Sequence, residues 1–162
     1  MNKLSVFVIF ISLIFTLTNC DHDSHRYVSS LDVEDIKFYN VEDTSMTFMD
    51  TAFFKAIDKN TLNIRLKTIR FLGRDESDLI GVEAMVYKNN LLAIEIKVKD
   101  KDVDTYKIQW QEISFNLENV ECNRKYIVEP CLTVIHEEGR GVQGLPPFEV
   151  YFDEHTNGRH PF

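Results

Sequence analysis

Several features that would classify a chain at once are scarce here. Its 162 residues include three cysteines, four prolines and six glycines, which leaves no low-complexity tract, and no internal repeat is visible. With so few cysteines, disulfides cannot carry the fold. A composition that is 44% hydrophobic and 12% aromatic can fill an ordinary core without them. Positive charge is short as well. Against 26 Asp and Glu stand 18 Lys and Arg, a formal charge of −8. Such a field repels phosphate backbones and anionic membrane surfaces, so it argues against nucleic acid and favours basic protein surfaces. No G-x-S-x-G, P-loop or G-x-G-x-x-G occurs, and paired CxxC knuckles are absent.

Long apolar runs are confined to one place. After Met1-Asn2-Lys3 the chain is almost unbroken apolar from Leu4 to Leu17. A membrane span needs about twenty such residues, so the layout is that of a signal peptide over residues 1–20. Two processing routes stay open. Leu17-Thr18-Asn19-Cys20 resembles a bacterial lipobox, with Asn19 in place of the usual small residue. That resemblance implies a lipid anchor on Cys20. Alternatively, ordinary cleavage after Cys20 uses Thr18 and Cys20 as the small residues and frees a secreted protein. Either way Lys3 leaves with the leader, and the remainder is one unit more negative. Residues 21–30 read as a polar spacer, and 31–162 as a single β-rich domain of ordinary size.

Two cysteines then survive processing, Cys122 and Cys131. An oxidising compartment makes a disulfide between them the expectation. Pro130 and the polar Asn123-Arg124 leave room for the chain to turn back between the two.

Period-two alternation dominates the domain. Val82, Ala84 and Val86 alternate with polar or larger residues, and so do Leu92, Ile94, Ile96 and Val98 beyond a turn at Lys88-Asn89-Asn90. A three-residue loop faces Val86 to Leu92, Ala84 to Ile94 and Val82 to Ile96. A two-residue loop would set Ala84 against Glu95, so the longer loop is predicted, with Asn90 in the left-handed conformation. Further strands fall around Leu62–Leu66, Ile113–Leu117, Val128–Val134 and Phe148–Phe152. Met49, Phe53 and Ile57 recur every four residues, which predicts one short helix over Asp50–Asp58. The expected fold is mostly β: an antiparallel β-sandwich or open barrel of six to eight strands with at most one short helix.

Candidate chemistry is sparse. Asp100, Asp102 and Asp104 follow a strand with calcium-like spacing, yet Thr105 and Gln111 stand where an EF-hand needs Gly and Glu. A solvated turn is the expectation there, with the three aspartates as the only loop metal candidates. His22 with His25, and Asp153 with His155 and His160, sit near the chain ends, where solvated side chains are the rule. His136-Glu137-Glu138 begins like a zinc-protease helix, but Arg140 replaces the second histidine. No catalytic residue and no cofactor are therefore assigned. The most distinctive loop is Gly139 to Phe148. Its Leu145, Pro146, Pro147 and Phe148 are the candidate binding residues, with a core-capping role as the competing reading. The functional expectation is a secreted or lipid-anchored, non-catalytic binding domain whose partner is a protein or a small apolar ligand. A carrier holding an apolar molecule between two sheets is the alternative. An acid-pair hydrolase is the weaker third reading, and a membrane contact would arise only through an anchor at Cys20.

Overall fold

The computed structural model describes residues 26–41, 50–68, 76–100 and 110–161. Ten strands run in chain order: β1 (Tyr27–Asn40), β2 (Thr51–Ala56), β3 (Leu62–Thr68), β4 (Leu79–Tyr87), β5 (Leu91–Lys99), β6 (Gln111–Glu118), β7 (Arg124–His136), β8 (Gly139–Gly144), β9 (Phe148–Phe152) and β10 (Asn157–Pro161). One 3-10 turn, Glu76–Asp78, precedes β4. Among the described residues the strand count exceeds the six to eight expected because β1, β2, β8 and β10 lie outside the alternating stretches that predict strands. The first strand starts at Tyr27, four residues before the expected domain edge.

All ten belong to one sheet, in the order β10-β2-β3-β6-β1-β4-β5-β7-β8, with β9 also pairing β7. The sheet curls into an open barrel. Its hinge is β1, whose first residues pair β4 and whose remainder pairs β6, with register breaks between Tyr27 and Ser29 and between Glu34 and Lys37. Asp35 takes φ 51° at the second break, a conformation that Asp tolerates better than branched residues do. The curl brings the two ends of the sheet together. Phe148 of β9 stacks on Phe54 of β2 (centroids 6.1 Å apart) and on His160 of β10 (6.0 Å). The enclosed core is apolar throughout its middle, with Leu62, Ile64, Leu66, Ile94, Ile96, Ile113, Phe115, Tyr126 and Phe152 all but fully buried.

The β4–β5 hairpin has the predicted register, Val82 to Ile96, Ala84 to Ile94 and Val86 to Leu92. Asn90 takes φ 62° and its N–H donates to the Tyr87 carbonyl at 3.0 Å. The helix expected over Asp50–Asp58 is instead β2. Spacing of four keeps residues on one face of a strand as well as of a helix. The face turned inward carries Ala52, Phe54 and Ala56, while Phe53 lies outside under the Arg65 guanidinium, 4.6 Å from its centroid.

One pairing breaks the antiparallel expectation, since β5 and β7 are parallel from Leu91↔Ile127 to Lys99↔Ile135. Pro130 lies inside this strand, where a missing N–H should be costly. It is tolerated because β9 pairs up to Val128 and β8 pairs from Cys131. In the gap between them the Pro130 carbonyl accepts the Leu145 N–H at 2.9 Å. The chain therefore runs straight through Pro130 and does not turn back.

That straight run overturns the expected disulfide. Cys122 lies before β7 and Cys131 well inside it, and both thiols are free. From Arg124 to Cys131 the extended chain covers about 23 Å, whereas a bridge needs Cα atoms within about 7 Å of each other. Burial pushes the Cys131 thiol above its ordinary pKa, with the Glu95 carboxylate adding to the effect. The protein should thus have the same intact mass before and after reduction, and Cys131 should alkylate slowly. A gain of two hydrogens on reduction would contradict the fold around β7.

Candidate functional site

Strand ends sort into two unlike sets. At one end lie the turns between β2 and β3, β4 and β5, β6 and β7, and β9 and β10, each closed by local polar chemistry. In the first of these the Asn60 N–H donates to Asp58 Oδ1 at 2.7 Å. This bond is the main reason that the Asp58 carboxyl is held below its ordinary pKa. In the turn before β7, Asn119 and Asn123 take φ 62° and 58°. After β9, Thr156 Oγ1 accepts the Asp153 N–H at 2.8 Å, and the His155 N–H donates to Asp153 Oδ1 at 2.8 Å.

The opposite end, where β1, β3, β5 and β7 finish, has a different chemistry. Its interior layer is polar: Asp50, Thr68, Asp78 and Gln111 are all buried, Thr68 and Gln111 stand opposite each other in register, and all four are engaged by partners. Outside it, the parallel β5–β7 pairing carries Asp100 beside His136. The Asp100 N–H donates to the Ile135 carbonyl at 2.9 Å, which extends the ladder by one step. His136 Nδ1 then lies 2.7 Å from Asp100 Oδ2. Glu137 and Glu138 form the turn into β8, and Arg140 follows opposite Ile135. Together with Lys99 these residues line a shallow depression of about 820 Å³. It displays both signs of charge on rigid strand ends, with the His136 ring oriented by a carboxylate.

Of the predicted binding residues, Leu145 (5% exposed) and Phe148 (2%) point into the core. Pro146 is half-buried and Pro147 exposed. Leu145 and Phe148 thus take the core-capping role named as the competing reading, while Pro147 and Val142 are exposed nearby. Asp100 is engaged with His136, while Asp102 and Asp104 lie outside the described residues, as do Cys20, His22 and His25. The tail histidines do not converge with Asp153, because His160 stacks on Phe148 and Asp153 serves its own turn. Among the described residues no group of three or more His, Cys, Asp or Glu is placed to hold a metal ion.

An acid pair does exist. Thr61 Oγ1 lies 2.7 Å from Glu118 Oε2 and 3.2 Å from Asp58 Oδ2, beside a second depression of about 640 Å³. Glycosidase-type chemistry needs one carboxyl kept protonated, and the turn does the reverse to Asp58. The Asp100–His136 contact escaped sequence reading because it depends on a parallel pairing between strands more than thirty residues apart. Asp100 and His136 were each legible as candidate residues, but their contact was not.

Comparison of the chain with protein-family models, with curated proteins and with solved structures finds no match. What the geometry defines is a class: an open β-barrel domain with one end closed by tight turns and the other polar and charged.

Proposed function

We propose that the protein acts outside the cytoplasm as a non-catalytic binding domain, secreted or anchored by lipid at Cys20, and that it meets a protein partner with the strand end around His136. The depression lined by Lys99, Asp100, His136, Glu137, Glu138 and Arg140 carries this reading. Charges of both signs on a rigid scaffold set the orientation and rate of encounter with a complementary protein surface, and strand-end turns are the usual place for such contacts. The leader over residues 1–20 and the absence of catalytic motifs support the compartment and the lack of chemistry.

The carrier alternative has less behind it. Large side chains such as Phe115, Tyr126 and Phe152 fill the space between the opposed parts of the sheet, and Phe148 plugs the seam between Phe54 and His160.

A charge-reversed protein tests the proposal. His136 and Arg140 are exposed, so Arg140→Glu with His136→Ala should leave thermal stability nearly unchanged, within about 0.5 kcal/mol. Chemical crosslinking in the extracytoplasmic fraction should then recover a partner with the parent at least about tenfold more efficiently than with the variant. Equal recovery by both proteins would move the binding surface elsewhere.

A further inference from the structure

The outer face of the sheet carries an apolar row at the end opposite the depression. Tyr27 of β1 pairs with Tyr87 of β4. Tyr87 and Leu91 flank the β4–β5 turn, and Leu91 pairs with Ile127 of β7. Four adjacent strands thus present Tyr27, Tyr87, Leu91 and Ile127 side by side, a band about 14 Å wide at ordinary strand spacing. Met85 and Ala93, paired with each other, form a second row behind it. The band faces solvent at its two ends, while Leu91 between them is buried, 8% exposed. Tyr27 is 53% exposed, its neighbour Val28 55% and Ile127 38%. The two tyrosine rings meet edge to face, 6.4 Å between centroids, with their hydroxyls turned to Ser30 Oγ and Met85 Sδ.

The chain enters the domain beside this band. The Lys88 N–H donates to the Arg26 carbonyl at 3.1 Å, so Arg26 is held against the β4–β5 turn. Five residues separate Arg26 from Cys20, and six peptide steps reach at most about 22 Å. If Cys20 carries acyl chains, Arg26 at the edge of the band lies within that distance of the bilayer whatever path the linker takes. The charged depression stands away from it, since Leu91 and Lys99 are eight residues of extended strand apart, about 26 Å.

We propose that the Tyr27–Tyr87–Leu91–Ile127 band rests on the lipid interface into which Cys20 is anchored, which directs the His136 end away from the membrane. The proposal rests on the lipid-anchored form of the function above. Tyrosine suits this position, because its ring is apolar and its hydroxyl remains hydrated at headgroup level. The acidic balance of the chain selects a zwitterionic surface over an anionic one.

The test uses the exported protein in phosphatidylcholine vesicles whose acyl chains carry bromine, which quenches tryptophan on contact. The parent has one tryptophan, Trp110, next to β6 at the same strand end as the depression. The emission that Ile127→Trp adds to that of Trp110 should fall by about half relative to plain vesicles, as for an interfacial ring, while the parent and Val142→Trp stay unchanged. No quenching of Ile127→Trp, or equal quenching of Val142→Trp, overturns the proposal. So does a blue shift of Ile127→Trp that grows with protein concentration without bromine quenching, because a second copy would then cover the band.

Intact mass on the same sample separates the two failures. An acylated Cys20 without quenching leaves the anchor standing and removes the docking face. A protein beginning at Asp21 removes the anchor, and docking is then judged by flotation of that protein with plain vesicles. There a threefold or larger loss of the bound fraction in Tyr27→Ser/Ile127→Ser, on the order expected for removing two interfacial side chains, supports the face. No flotation, or equal flotation of both proteins, overturns it.

Discussion

Phe148→Ala is expected to destabilise the protein by about 3–5 kcal/mol, the range for deleting a large ring from a packed core. Phe148 is 2% exposed and lies between Phe54 of β2 and His160 of β10. It is the ring through which the two ends of the curled sheet touch, so its loss removes more than one residue's burial. The cavity would sit on the seam, and β10 would lose the partner that holds it against β9. Chemical denaturation of Phe148→Ala should show a much earlier midpoint. Amide exchange should increase first in β10 and β9 and last in β4 and β5. A midpoint near that of the parent would mean that Phe148 is dispensable for closure and would return the Leu145–Phe148 segment to the list of binding elements.

The second large effect comes from the opposite change, an added side chain. Gly158 of β10 stands directly across from Phe54. A Cβ built on Gly158 would lie 2.5 Å from Phe54 Cε2 and 2.8 Å from Cζ, closer than real carbon atoms approach. The Phe54 ring covers the glycine and is itself fixed by Phe148, so it cannot swing away without breaking the stack. Gly158→Val should cost about 1–3 kcal/mol, the usual range for overpacking, although valine suits strands better than glycine does. Combining Gly158→Val with Phe54→Ala tests the mechanism. The two changes should be less harmful together than their separate effects predict, because removing the ring removes the clash. Strict additivity would show that Gly158 matters for some reason other than Phe54.

The parts of the fold that sequence reading recovered are those governed by neighbours along the chain. The β4–β5 register followed from which side chains could share a face across a three-residue turn, and Asn90 was placed by its tolerance of positive φ. The helix wrongly expected over Asp50–Asp58 has a comparable origin. Spacing of four is shared by helix and strand, and the choice fell to β3 and β10, which flank β2 on both sides. The disulfide failed because cysteine count and compartment say nothing about distance. The straight passage of β7 through Pro130 depends on where β8 and β9 happen to stop.

Candidate sites divide along the same line. Leu145 and Phe148 drew attention as apolar residues beside two prolines in a glycine-rich loop, but whether such residues face water or the core depends on what the sheet closes upon. The Asp100–His136 contact and the Tyr27–Ile127 band need pairings between segments far apart in the chain, one of them parallel. Loop-closure entropy opposes such pairings until the whole sheet repays it.

From residue order alone come the acidic balance, the β class and the local hairpin, because each depends on composition or on residues a few positions apart. The curling of one sheet onto Phe148, the parallel seam between β5 and β7, and the division into an end of tight turns and an end with a charged depression come from packing. They arise where distant strands compete to cover the same apolar surface, and no stretch of chain read by itself contains that competition.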